Sequence, residues 1–366
     1  MKMNFHPPAS LSGLLNRLQP SEPVILGGAA ILVGLLGGLL VGAIKHFWIG
    51  EERHHGVAGI IEAAALAGGR LRYRRMPAKT LAASVSIGFG ASVGPEDPSV
   101  QIGANQGSMF GQVLHLADER VRALVAAGAA AGISAAFNAP ITGVFFALEI
   151  ILGVISGASL GIILIASIVS AVFIQAVSGP DPAFAVPTYA IKSYWELPLF
   201  ILLGLLAGPS SALYIRMLYW VQDLFHSWRA PEWVKPAAAG LLVGLVGIFL
   251  PQVFGVGYDT IEQTLNGQTL GIGLLLALMV AKLILTPVSI GGGFVGGVFA
   301  PALFIGAMLG GAYGEIVQRL FHSVCSMIRC IAWGWRARAS GWIAGVTLSS
   351  WMGLRSARSC KLISSP

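Results

Sequence analysis

Apolar residues along the chain gather into uncharged runs at 24–44, 123–148, 150–180, 197–215, 236–258 and 283–314, with short polar stretches between them. A helix needs roughly 20 residues to cross about 30 Å of hydrocarbon, so each run predicts a membrane span. Runs longer than one span must contain breaks.

The pattern repeats. Sliding the chain against itself by 203 positions lays SIGFGASVGPEDPSVQIGANQGSMFG (86–111) on SIGGGFVGGVFAPALFIGAMLGGAYG (289–314), with 11 of 26 positions identical. Composition alone gives about two or three. Upstream, GVAGIIE (56–62) faces GVGYDTIE (255–262). The chain therefore reads as two copies of one membrane unit, an organisation typical of transport proteins and often inverted about an axis in the membrane plane. Non-helical backbone inside a bilayer is tolerated only where it is buried in protein or lines a cavity. Gly88, Gly90 and Gly94, with Gly291, Gly293, Gly296 and Gly297, mark such breaks, and each break predicts a new helix that starts deep in the membrane.

The copies are unequal. Two runs, 197–215 and 236–258, precede the second motif, and one, 24–44, precedes the first. The helix pair expected from AAGAAAGISAAFNAPITGVFFALE has no recognisable counterpart after Gly314. Residues 321–366 instead carry no acid and all three cysteines, Cys325, Cys330 and Cys360, and are expected to be out-of-frame, substituted or strongly diverged sequence.

Composition narrows the class. With 55% hydrophobic and 11% charged residues and a mean hydropathy of +0.76, the chain falls outside the soluble range. Its start has no continuous apolar core or small-residue cleavage site of an export signal. The net charge of +7 is concentrated in short loops, above all RLRYRRMPAK at 70–79. That is the distribution of cytoplasmic membrane loops, and nucleic acid is not expected as a partner. The cysteine spacings fit neither a zinc site nor a redox pair, and the adjacent His54 and His55 of EERHH lack the geometry to share a metal. No metal or cofactor is expected.

The candidate chemistry lies in SVGPEDPSVQIG, where Glu96 and Asp97 stand between prolines in apolar surroundings. A helix N-terminus presents unpaired N–H groups and about half a positive charge. Several such ends converging make an anion site without a full cation, weak enough to release its ion. Pro95 suits the first turn of such a helix. Glu96 and Asp97 then have two readings: they cap the helix, or one of them is a tethered substitute for a transported anion that leaves when protonated. An intramembrane acid favours the second, and the residues alone do not separate the two carboxylates. Lys282 is expected to pair with carbonyls or to reach an interface. Ser86 and Ser289, without a GxSxG context or a histidine base, are expected to bond to local backbone, so no enzyme is indicated.

These motifs resemble the CLC chloride channels and chloride/proton antiporters over roughly residues 24–316. GPEDPSVQIG looks like the family's GREGP stretch, AAGAAAGISAAFNAPITGVFFALE is close to its next two helices, and GGVFAP (296–301) matches GxFxP. The resemblance implies an all-α polytopic membrane protein, a CLC-type inverted repeat with broken, re-entrant helices. It also implies a homodimer in the cell (inner) membrane that moves chloride or a similar small anion. Glu96 matches the gating glutamate, and Asp97, where glycine is usual, becomes a modulating charge. Backbone groups at Pro95, Glu96, Val298 and Phe299 match anion-coordinating positions, as do Ala58, Gly59 and Ile60 of the first motif, GSGIP. Ala58 replaces the coordinating serine, and Pro95 replaces an arginine. The inner proton glutamate of the antiporters aligns with Ile150, beside Glu149 as a possible proton path. The pathway tyrosine belongs to a late helix not recognisable here. The expected function is channel-like anion transport; the alternatives are chloride/proton exchange and a non-transporting remnant or regulatory subunit. The expected segments are an N-terminal cytoplasmic stretch (1–23), a first repeat (24–180), an incomplete second repeat (195–316) and the atypical tail (321–366).

Overall fold

The computed structural model describes residues 22–49, 56–153, 157–182, 187, 196–268 and 270–320. The EERHH stretch, all three cysteines and the tail after Leu320 lie outside the described residues. One compact unit comprises residues 1–311, and a second comprises 312–366.

The described elements are helical, in the order α1 (Glu22–Ile44), α2 (Val57–Leu66), α3 (Met76–Gly88), α4 (Glu96–Val113), α5 (Asp118–Phe137), α6 (Pro140–Phe146), α7 (Gly157–Ser178), α8 (Glu196–Ser227), α9 (Lys235–Gly247), α10 (Tyr258–Leu265), α11 (Ile272–Gly292) and α12 (Phe299–Leu320). Among the described residues six helices are long and apolar enough to cross a membrane, α12 among them. Two expected spans differ from their runs. The run at 197–215 is only part of α8, which continues through Arg216 to Ser227, where Gln222 and Asp223 line a cavity. The run at 236–258 is the 13-residue α9, then irregular backbone with a 3-10 turn, then the start of α10.

Repeat equivalence extends to element ends. Helices α4 and α12 begin 203 positions apart, at Glu96 and Phe299, and α1 and α9 end 203 apart, at Ile44 and Gly247. The breaks before α4 and α12 pair with each other: Gly94 and Gly297, themselves 203 apart, exchange N–H···O bonds of 2.9 and 2.7 Å in an antiparallel bridge. Around it the bonds are reciprocal. Ser86 Oγ accepts the Val295 N–H at 3.0 Å, and its counterpart Ser289 Oγ accepts the Ser92 N–H at 3.2 Å. Each serine thus satisfies the non-helical backbone of the other copy, the requirement for buried irregular chain. Ser86 also donates to Ala82 O as expected, but the cross-repeat bonds were not foreseen. This two-fold exchange is the signature of an inverted repeat.

Helices pack closely through glycine. Gly103 on α4 meets Gly128 on α5, where a Cβ on either would strike the other's carbonyl, and Gly34 on α1 meets Gly240 on α9 in the same way. Such approach is the usual packing of membrane helices. The equivalents of Gly103 and Gly107 on α12, Gly306 and Gly310, have nothing among the described residues within 4 Å of a built Cβ. Fully buried Lys282 donates to the carbonyls of Val253, at 2.9 Å, and Gly255, and it lies 5.0 Å from the Phe304 ring centroid. The carbonyl pairing expected for it is therefore the one found.

Candidate functional site

Glu96, the first residue of α4, is 3% exposed. Its Oε1 accepts the backbone N–H groups of Phe299 at 2.8 Å and Ala300 at 3.0 Å. These donors open α12 and have no acceptor within that helix, so the carboxylate sits where the positive end of the helix dipole favours negative charge. Oε2 is buried without a partner among the described residues. Gly94 and Gly297 flank the carboxyl group. A Cβ on Gly297 would overlap Oε1 and lie 3.0 Å from Cγ, and one on Gly94 would overlap Oε2 and lie 2.8 Å from Oε1. Neither glycine has a positive φ, so space for the carboxylate, rather than backbone freedom, demands glycine there.

Asp97 reaches another helix. Its Oδ1 accepts the Val57 N–H at 2.7 Å, at the start of α2, and its Oδ2 accepts Gln101 Nε2 at 2.9 Å. Two adjacent carboxylates on α4 thus serve the N-termini of α12 and α2. Gly56, which precedes α2, has φ 75°, and a side chain there would crowd Asp97.

A cavity of about 890 Å³ adjoins Glu96, with Ala58, Asp97, Val298 and Phe299 in its wall. A second, of about 490 Å³, is lined by Gly59, Ile60, Glu62, Arg70 and Arg72, and the two share Gly56, Lys79 and Gln101. The structure brings Ala58, Glu96, Asp97, Val298 and Phe299 together. It does not bring Gly59 and Ile60 to the larger cavity: the Gly59 N–H is engaged by Gly56 O at 3.2 Å. Pro95 caps α4, and its carbonyl accepts both the N–H and the Oγ of Ser99. Glu149 lies in the π-helical turn Ala147–Leu152, exposed and outside both cavities. Among the described residues no group of three or more His, Cys, Asp or Glu could hold a metal. What the arrangement offers is two backbone N–H donors beside a cavity, both engaged by a tethered carboxylate.

The profile of the family described as "Voltage gated chloride channel" matches residues 37–350. The chain belongs to the CLC family. Among CLC relatives, a putative chloride channel protein, ClcB-like, of Ralstonia nicotianae is 37% identical over 296 residues, covering 80% of this chain and 69% of its own length. Chloride channel protein CLC-f of Arabidopsis thaliana is 37% identical over 258 residues, 66% of this chain and 33% of its own. The H(+)/Cl(-) exchange transporter ClcA of Vibrio cholerae is 31% identical over 256 residues, 68% of this chain and 54% of its own. The chain thus spans between a third and about two thirds of these relatives. In solved structures the fold is similar to that of a slow cyanobacterial Cl-/H+ antiporter, with TM-score 0.73 and 23% identity over 86% of this chain and 74% of that one. It is also similar to a CLC-type fluoride/proton antiporter, with TM-score 0.60 and 22% identity over 80% of this chain and 82% of that one.

Sequence reasoning missed one residue at this CLC site. Tyr214 of α8, 6% exposed, donates its hydroxyl to Val298 O at 3.0 Å. Nothing in the apolar run around it signals a partner 84 positions away.

Proposed function

We propose that the chain moves chloride or a similar small anion across the membrane through the point now held by the Glu96 carboxylate, in channel-like fashion. The observation that carries this reading is the pair of bonds from Phe299 and Ala300 N–H to Glu96 Oε1. An ionised carboxylate competes with the anion for those donors; once protonated, it loses most of its attraction to the helix end and leaves them free. A bare anion taken into hydrocarbon would cost tens of kcal/mol, and the exposed N–H groups with the α12 dipole offset part of that while allowing release. Ile150 at the position of the antiporters' inner glutamate, with Glu149 exposed outside both cavities, supports conduction without proton coupling. The working form is a homodimer in the inner membrane.

Chloride/proton exchange is the second reading, favoured by the names of the Vibrio relative and the cyanobacterial neighbour and by a gate that itself carries a titratable proton. A non-transporting subunit is the third, favoured by Gly306 and Gly310 on α12, which have nothing among the described residues within 4 Å of a built Cβ. Chloride efflux from liposomes holding the purified chain, with proton movement recorded by a pH electrode, tests all three. Efflux without protons supports the channel, coupled protons support exchange, and no efflux from folded, inserted protein supports the subunit.

A further inference from the structure

Peptide units are planar and trans, so whatever holds a carbonyl also aims the N–H on the other side of the same bond. The peptide between Val298 and Phe299 presents its N–H to Glu96 and its C=O to two donors: the Ala302 N–H at 3.1 Å, the ordinary first bond of α12, and the Tyr214 hydroxyl at 3.0 Å. The repeat offers a parallel for the second donor. The equivalent carbonyl in the first copy, Pro95 O, likewise accepts two bonds, one from the Ser99 N–H at 3.1 Å and one from Ser99 Oγ at 2.9 Å. Position 302, the counterpart of Ser99, is alanine and has no hydroxyl to offer. In the second copy the hydroxyl arrives instead from α8, a helix without a recognised counterpart in the first copy.

We propose that Tyr214 is a positioning residue for the anion site, holding the Val298–Phe299 peptide so that the Phe299 N–H faces the position of the Glu96 carboxylate. A donor on the carbonyl both restrains the peptide and polarises it, strengthening the N–H as a donor. The inference rests on the anion-transport reading above and deepens it by naming what tunes the site.

The test uses the full chain carrying Glu96→Ala, so that chloride itself must use the Phe299 and Ala300 donors. Half-saturating chloride and maximal flux are measured in liposomes, and chloride binding to the solubilised protein is measured by calorimetry. Adding Tyr214→Phe, which removes one oxygen, is expected to raise half-saturating chloride about threefold to tenfold, the scale of one ordinary hydrogen bond, with maximal flux little changed. Adding Ala302→Ser as well supplies a hydroxyl to the same carbonyl, as Ser99 does for Pro95, and is expected to recover most of the affinity. Unchanged half-saturation in folded Tyr214→Phe protein, a fall in maximal flux alone, or a loss that Ala302→Ser fails to reverse would each overturn the role. If the Glu96→Ala chain neither binds nor passes chloride, the anion reading itself fails, a result distinct from those three.

Discussion

Replacing Gly297 by alanine would add one methyl group where the Glu96 carboxylate now sits, overlapping Oε1 and lying 3.0 Å from Cγ. The backbone there tolerates alanine, since its φ is not positive, so the side chain of Glu96 must yield. Yielding breaks the bonds from Phe299 and Ala300 N–H. Hydrogen bonds to a charged group contribute about 1.5 to 3 kcal/mol each, so the carboxylate loses about 3 kcal/mol at the lower limit, because water or chloride takes over the vacated donors. That is a factor of over 100 in occupancy. Gly297→Ala should therefore expel the carboxylate and flatten the pH dependence of chloride efflux, but the added methyl stands at the point the anion itself uses, so efflux should stay slow at neutral and acid pH alike. Combined with Glu96→Ala, it should slow the efflux that Glu96→Ala alone releases, since the methyl fills the position vacated by Oε1 and the two sites couple. Efflux from folded Gly297→Ala protein with the pH dependence of the unaltered chain would refute the placement of the gate between the two glycines.

Asp97→Asn keeps an oxygen for the Val57 N–H but removes a charge from the cavity wall; a relief of about 1 kcal/mol of repulsion should lower half-saturating chloride roughly fivefold, and an unchanged value would leave Asp97 a helix cap alone. Asp97→Ala removes the cap as well and should destabilise the fold by about 1 kcal/mol in denaturation measurements. Ser86→Ala and Ser289→Ala each deprive one N–H of its acceptor, the part-buried one of Val295 and the buried one of Ser92 respectively, and should each lower stability by about 1 to 3 kcal/mol; a loss confined to one of them would contradict the two-fold exchange.

The glycine-rich repeat made the architecture legible, because the 203-residue offset that aligns the motifs also aligns the starts of α4 and α12 and pairs Gly94 with Gly297. Extending the same offset upstream would have aligned Lys79 with Lys282 and Met76 with Met279, a signal left unused. Glu96 was legible as a charge in an apolar setting. Its acceptor role towards α12 was not, because the donors lie 203 and 204 positions away. Asp97 misled in the same way: local reasoning places an acid on its own first turn, whereas its carboxylate binds Val57, 40 positions earlier. Resemblance carried Gly59 and Ile60 to the site together with Ala58, and the turn of α2 places these two on the second cavity, which shares Gly56, Lys79 and Gln101 with the first. Tyr214 was invisible because an apolar helix with one more aromatic residue carries no mark of the carbonyl it will meet.

Chloride efflux from liposomes, followed from neutral to acid pH for the unaltered chain and for Glu96→Ala, bears most directly on the tethered carboxylate. The unaltered chain should pass more chloride as pH falls, because protonation frees the Phe299 and Ala300 donors, and Glu96→Ala should be fast and nearly independent of pH over the same range. A folded Glu96→Ala protein that kept the slow, pH-dependent efflux of its parent would contradict the assignment of Glu96 as the occupant of the anion site.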